Sequence, residues 1–168
     1  MKKVAVILGS DSDLPAVLPA FKVLKSFGIG YEGHIMSAHR TPGAAAEFAV
    51  NARKNGFGCI ICAAGKAAHL AGVIAAHTAL PVIGIPIKSS TLDGLDSLLS
   101  TVQMPKGVPV ATVAVDGAEN AALLAVQMLA VSDDGLYGKL EEYKSRMAAD
   151  IAEKDAAVGD RINQMLNK

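Results

Sequence analysis

Residues 57–87 read FGCIICAAGKAAHLAGVIAAHTALPVIGIPI, and the fold turns on how this stretch is taken. It is apolar enough to suggest a membrane span, but Lys66, His69, His77 and Pro81 interrupt it and glycine recurs. A spanning helix needs about 20 apolar residues without such breaks. The other reading is a buried strand, a helix packed on the sheet, and a second buried strand, because strands covered on both faces appear as continuous apolar runs. That reading predicts a parallel α/β sheet.

The rest of the chain repeats the pattern. Residues 4–8, 29–35, 58–63, 81–85 and 109–115 have the Val, Ile and Ala content of short strands, each followed by a loop of small residues. Helical segments are expected between them at 14–27, 42–55, 68–79 and 94–103. Strand and helix alternating at this interval imply right-handed crossovers and a three-layer αβα, flavodoxin-like arrangement with about five parallel strands. Pro15 suits the first turn of the opening helix, whereas Pro19 removes an interior hydrogen bond, so that helix is expected either to kink or to start late.

Composition narrows the function classes. Sixteen basic residues balance sixteen acidic ones and aromatic residues make up 4% of the 168, with a sequence pI near 6.9. A nucleic-acid binder is expected to carry a basic excess. Cys59 and Cys62 cannot form a secreted disulfide framework, and the stretch from Met1 to Leu8 is too short for a signal peptide, so a cytoplasmic protein is expected. The two cysteines form C-x-x-C inside a strand, where positions three apart face opposite ways. They are expected in the core, and no metal site is expected there or at His34 and His77.

Residues 133–168 are different, with 14 charged side chains in 36 positions. Leu136, Leu140, Tyr143, Met147, Ile151, Val158, Ile162 and Met165 fall at helical steps and make an apolar stripe. The expectation is one α/β domain over 1–168 whose C-terminal helical extension, 133–168, packs on the body or on a neighbouring subunit of a homo-oligomer.

In an open parallel sheet, ligands sit beyond the carboxyl ends of the strands. Three loops there are unusual. In Gly9-Ser10-Asp11-Ser12-Asp13 the glycine permits a tight turn, Ser10 and Ser12 suit phosphate oxygens, and Asp13 suits ribose hydroxyls; helix capping alone would also explain the composition. In Ser37-Ala38-His39-Arg40-Thr41-Pro42, Arg40 offers a bidentate fork to phosphate and His39 titrates near neutrality. Thr41 capping a helix that starts at Pro42 is the structural alternative. In Gly65-Lys66-Ala67-Ala68-His69-Leu70 the small residues let backbone amides approach a ligand, or let helix and strand pack closely. None of these is a Walker A loop, a dinucleotide fingerprint or a G-x-S-x-G elbow.

Together with 96–105 (DSLLSTVQMP) and 107–113 (GVPVATV), these loops closely resemble the PurE-type, class I 5-(carboxyamino)imidazole ribonucleotide mutases of purine biosynthesis. The likeness runs from about residue 3 to the tail helix. It implies an isomerase, without metal or organic cofactor, that moves a carboxylate from the exocyclic nitrogen of an aminoimidazole ribonucleotide to ring carbon 4 through carbon dioxide held in a closed pocket. It further implies that His39 shuttles the proton. Ser10, Ser12 and Arg40, supported by Ser37, would hold the phosphate and Asp13 the ribose, Ala38 would be a further substrate-binding residue, and Gly65, Ala67, Ala68, His69 and Leu70 would line the carboxylate pocket. The partners implied are the ribonucleotide, carbon dioxide and sister subunits of a homo-octamer, with no nucleic acid and no membrane.

The chain departs from the family pattern at Ala71, commonly proline, and at Lys66, commonly small or apolar. Lys66 has two readings, a side chain in solvent or one reaching a neighbouring site. The rival functions are direct carboxylation of aminoimidazole ribonucleotide, whose third loop usually carries Ser-Asn, and a flavodoxin-like module that binds a flavin or nucleotide without catalysis. The low aromatic content argues against a stacked flavin.

Overall fold

The structure, a computed structural model, describes residues 2–90 and 92–167. It divides into two compact units, Met1–Leu129 and Ala130–Lys168. In the first, β1 (Lys3–Leu8), β2 (Tyr31–Ile35), β3 (Phe57–Gly65), β4 (Val82–Ile87) and β5 (Ala111–Thr112) form one sheet in the order β2-β1-β3-β4-β5, every pairing parallel. Helices α1 (Leu14–Ser26), α2 (Pro42–Asn51), α3 (Leu70–Ala76), α4 (Leu95–Val102) and α5 (Ala118–Ala130) follow the strands in turn, covering both faces. This is the flavodoxin-like α/β order, and its direction reverses between β1 and β3, where such sheets place a ligand crevice.

The apolar stretch resolves as strand, helix, strand. Cys59, Ile60, Ile61, Cys62 and Ala63 of β3 are all buried, as is every residue of β4. No helix among the described residues is long and apolar enough to cross a membrane. Both cysteines are free and buried, and removal from water pushes the Cys59 thiol up to about 12 and the Cys62 thiol higher still. Neither is available as a thiolate near neutrality. One side of the core joins Ile7, Phe57, Ile60, Leu70 and Ile74 to Ala45 and Ala49 of α2 and to Ala52 at its C-cap. Methyl-sized side chains let that helix lie close to the sheet.

Several boundaries differ from expectation. Helix α1 begins at Leu14 behind a short 3₁₀ turn over Asp11–Asp13 and runs through Pro19, so a late start is excluded. Strand β5 keeps two of the seven residues expected, since only Ile83–Ala111 and Gly84–Thr112 pair. Pro109 cannot donate to a ladder, which limits the strand on that side. Helix α5 was not expected at all, although its sequence, AENAALLAVQMLA, is rich in strong helix formers.

The second unit is dominated by α6 (Asp134–Leu166), whose first turn is capped by Asp133 accepting from the Leu136 N–H at 3.0 Å. Leu136 and Leu140 are buried, whereas Met147, Ile151, Val158, Ile162 and Met165 are exposed.

Candidate active site

Each parallel strand delivers its loop to the same end of the sheet. The loops after β1, β2, β3 and β4 enclose a cavity of about 640 Å³, within the usual range for small-molecule sites. Ser10, Ser12, Asp13, Ser37, Ala38, His39, Arg40, Gly65, Ala67, His69 and Leu70 all line it. Of the twelve residues expected, Ala68 alone is absent from the wall. It is buried, and its N–H donates to Ser100 Oγ at 3.0 Å.

The β1 loop is a set of hydroxyls at bonding distance from one another. Ser12 Oγ donates to Ser10 Oγ at 2.9 Å and Ser10 Oγ to Asp11 Oδ1 at 3.1 Å, while Ser10 Oγ also accepts from the Ser12 N–H. Ser10 therefore does cap the turn, and that role leaves its hydroxyl on the cavity wall. Asp13 is half-buried. Loss of water raises its carboxyl above the ordinary range, and the nearby Asp11 charge adds to this, against the opposing hydrogen bonds from Ser12 and Ser10.

The β2 loop is fixed by its own side chains. Thr41 occupies the N-cap position with Pro42 at the helix start, but its hydroxyl makes no cap bond. Instead Thr41 Oγ1 donates to the Ser37 carbonyl at 3.1 Å and accepts from the Ser37 N–H at 2.9 Å, while Ser37 Oγ accepts from the Arg40 N–H at 3.1 Å. That closed turn presents His39 and Arg40 together. Arg40 donates to the Gly9 carbonyl at 3.3 Å, which places the guanidinium beside the hydroxyls of the β1 loop, a suitable arrangement for a phosphate.

His39 reaches the other wall. Its Nε2 lies 2.9 Å from His69 Nδ1, and the rings meet edge to face with centroids 5.1 Å apart. One nitrogen must donate and the other accept, so the bond holds one proton between the rings and is incompatible with full protonation of both.

The β3 loop is held from outside the cavity. Ser100 Oγ accepts from the Ala68 N–H at 3.0 Å and lies 3.2 Å from the Lys66 carbonyl, and Thr101 Oγ1 lies 3.4 Å from the Ala68 carbonyl, while the nearest acceptors of the two hydroxyls are the Asp96 and Ser97 carbonyls, each at 2.7 Å. These hydroxyls were not among the residues expected to matter. The available signal was the spacing of Ser97, Ser100 and Thr101, which puts three hydroxyls on one face of α4. The β4 loop was also missed: Ile87, Lys88, Ser89 and Ser90 line the cavity. Lys88 Nζ pairs with Asp93 Oδ1 at 2.7 Å, and its backbone N–H donates to Asp116 Oδ1 at 3.0 Å.

Comparison with known proteins identifies the family. The chain is 53% identical over 154 residues to the N5-carboxyaminoimidazole ribonucleotide mutase of Thermotoga maritima, covering 92% of this chain and 90% of that one. It is 51% identical over 151 residues to the phosphoribosylaminoimidazole carboxylase of Candida albicans, covering 90% of this chain but 27% of the longer protein. The crystal structure of Treponema denticola PurE superposes with a TM-score of 0.81 at 28% identity, over 91% of this chain and 96% of that one. The AIR carboxylase family model matches residues 3–150, and the chain belongs to that family.

Proposed function

We propose that this protein is the mutase of purine biosynthesis that converts 5-carboxyaminoimidazole ribonucleotide to 4-carboxy-5-aminoimidazole ribonucleotide. The observation that carries the reading is the placement of His39 between two neighbours in one cavity: Arg40, on the phosphate-binding side, and His69, at 2.9 Å on the other. The 53% identity to a mutase of similar length supports the same assignment.

In this reading Ser10, Ser12 and Arg40 take the 5′-phosphate, Asp13 takes ribose hydroxyls, and Ser37 acts indirectly by holding the Arg40 amide. The bond from the exocyclic nitrogen to the carboxylate carbon breaks, its electron pair stays on nitrogen, and His39 supplies a proton there. Carbon dioxide is retained beside the exposed backbone of Gly65 and Ala67. Ring carbon 4 of the enamine-like aminoimidazole attacks it, and the proton on that carbon returns to His39. Donor and acceptor are one residue and the net change is an isomerisation, so the sequence of steps requires neither metal nor organic cofactor. Holding both fragments in one cavity gives recombination the advantage of an intramolecular step.

A homo-octamer in the cytoplasm completes the proposal. Its support is the row of exposed apolar residues on α6, Met147, Ile151, Val158, Ile162 and Met165, which a sister subunit would cover.

Direct carboxylation of aminoimidazole ribonucleotide is the second reading, favoured by the likeness to the Candida albicans carboxylase. A flavin module gains no support, since among the described residues no Phe, Tyr or Trp lines the cavity. The deciding assay offers two substrates in parallel: the carboxyamino ribonucleotide without bicarbonate, and aminoimidazole ribonucleotide with excess dissolved carbon dioxide. Faster turnover of the first is expected; preference for the second would overturn the mutase in favour of the carboxylase.

A further inference from the structure

Among the described residues, three other than glycine adopt a left-handed backbone, Lys66 (φ 56°), Asp93 (φ 55°) and Asp116 (φ 55°). For the two aspartates the reason is visible. Aspartate tolerates this region better than most residues, and each carboxylate is engaged with Lys88. Lysine has no such tolerance, and glycine would adopt the same conformation without strain. The segment is nevertheless held, because Ser100 Oγ accepts from the Ala68 N–H at 3.0 Å and lies 3.2 Å from the Lys66 carbonyl, an alternative acceptor to the nearer Asp96 carbonyl at 2.7 Å. A strained lysine is thus pinned on the cavity wall, three residues before His69.

Among the described residues the cavity wall carries three strong cations, Arg40, Lys66 and Lys88, and two are committed. Arg40 is tied to the Gly9 carbonyl beside the serine hydroxyls, and Lys88 is paired with Asp93. Lys66 is exposed and has no ion-pair partner among the described residues. The carboxyamino ribonucleotide brings two anions, its phosphate and the carboxylate that migrates. Resting on the function proposed above, which gives the phosphate to Arg40, we propose that Lys66 is a specificity-determining residue whose ammonium pairs with the substrate carboxylate.

The pairing has a direct chemical consequence. Substrate and product both carry the carboxylate, whereas carbon dioxide is neutral and aminoimidazole ribonucleotide lacks the group. Lys66 therefore strengthens binding of both carboxylated nucleotides and does nothing for the decarboxylated one. It selects the nucleotide that still holds its carbon, and because the pairing is lost as neutral carbon dioxide forms, it favours the bound carboxylated states and not the release of carbon dioxide.

The test measures dissociation constants by titration calorimetry for 4-carboxy-5-aminoimidazole ribonucleotide and for aminoimidazole ribonucleotide, in wild type and in Lys66→Met, Lys66→Arg and Lys66→Gly. Methionine keeps the stem and the strain but loses the charge, arginine keeps the charge, and glycine loses the charge and relaxes the backbone. Met and Gly variants should weaken the carboxylated nucleotide by about three- to tenfold, the scale of an exposed to partly shielded ion pair, and leave the other within about twofold. The Arg variant should bind like wild type. Lys66→Gly should also melt higher than Lys66→Met, separating charge from strain. Equal losses for the two nucleotides, or no loss for either, would overturn the proposal. Arg40→Met separates this from the underlying reading: it should weaken both nucleotides, and if it weakens neither, the phosphate site itself is wrongly placed.

Discussion

A methyl group added at Gly84 tests how the sheet supports the site. Gly84 sits in the middle of β4, and a Cβ there would lie 2.4 Å from Thr101 Cγ2, 3.1 Å from Val110 Cγ1 and 3.4 Å from Ala71 Cβ. Carbon atoms in contact prefer about 3.5–4.0 Å, so the Thr101 methyl must retreat by roughly an ångström. It has little freedom to do so. Thr101 is buried, branched at Cβ, and tied through its hydroxyl to the Ser97 carbonyl at 2.7 Å and the Ala68 carbonyl at 3.4 Å. Overpacking of this kind costs about 1–3 kcal/mol, and two close contacts favour the upper end. Gly→Ala in a permitted conformation returns about 0.4–1 kcal/mol through the unfolded chain. The expected net loss for Gly84→Ala is about 2 kcal/mol, or about 4–8 °C in Tm for a chain of this size. Thr101→Ser removes the colliding methyl and keeps the hydroxyl; alone it should cost about 1 kcal/mol for the lost methyl and its void. Combined with Gly84→Ala it vacates the space the new methyl needs, so the double variant should be more stable than the sum of the singles by about 2 kcal/mol. Thermal and urea unfolding at equal protomer concentration measure all four corners of the cycle. Additivity within about 0.5 kcal/mol, or an unchanged Tm for Gly84→Ala, would refute this account of the packing. Because Thr101 adjoins Ser100, Gly84→Ala should also raise KM, and Thr101→Ser should restore it.

His39→Asn should bind nucleotide but turn over at least about 10²-fold more slowly, as expected for a lost acid–base group; near-normal turnover in a steady-state assay would remove His39 from its role. Ser100→Ala leaves the buried Ala68 N–H without its acceptor, so about 1–3 kcal/mol of stability should be lost, read by urea denaturation. Burial holds the Asp13 carboxyl of the folded protein above the ordinary value of 3.8, so the folded protein binds the proton more tightly than the unfolded chain. The resulting penalty is fully present above the folded value and disappears as pH falls below about 3.8. Asp13→Asn should therefore be stabilised relative to wild type at neutral pH, with the advantage shrinking on acidification, and a Tm difference independent of pH would contradict it. The native thiols should resist an aromatic disulfide reagent, with labelling of Cys59 and Cys62 following global unfolding, since burial holds the first up to about 12 and the second higher.

The sheet was legible because β3 and β4 are covered on both faces and leave continuous apolar runs, Cys59–Ala63 and Val82–Ile87. The same reasoning overestimated β5. Its seven expected residues have suitable composition, but composition does not report pairing, and only two of them find partners on β4. Helix α5 was missed for a related reason: Ala118, Ala121, Ala122, Ala125 and Val126 are buried, yet alanine contributes so little to apolar periodicity that the stripe is faint. Its helix propensity was the better signal.

The site divides along a similar line. Residues whose chemistry is exposed to ligand, such as His39, Arg40 and Ser10, were recognisable because they stand out in loops that a parallel sheet gathers at one end. Residues that hold those loops in place were hidden, because their roles depend on contacts more than 30 positions away in the chain. Ser100 is the clearest case. A serine in the middle of a helix usually bonds to its own preceding turn, and Ser100 does so, donating to the Asp96 carbonyl at 2.7 Å. Only the packing of α4 beside β4 brings the same hydroxyl to Lys66 and Ala68. The strain at Lys66 was likewise invisible, since a backbone dihedral leaves no mark on a sequence unless glycine supplies it. A lysine held in glycine's conformation by a serine from another element joins both kinds of information: the residue type states the charge, and the fold states that the charge is kept against a conformational penalty. The sequence marks Lys66 as a departure from the family pattern without giving it a task, and with the fold added its ammonium becomes the best place to look for what distinguishes a carboxylated nucleotide from a bare one.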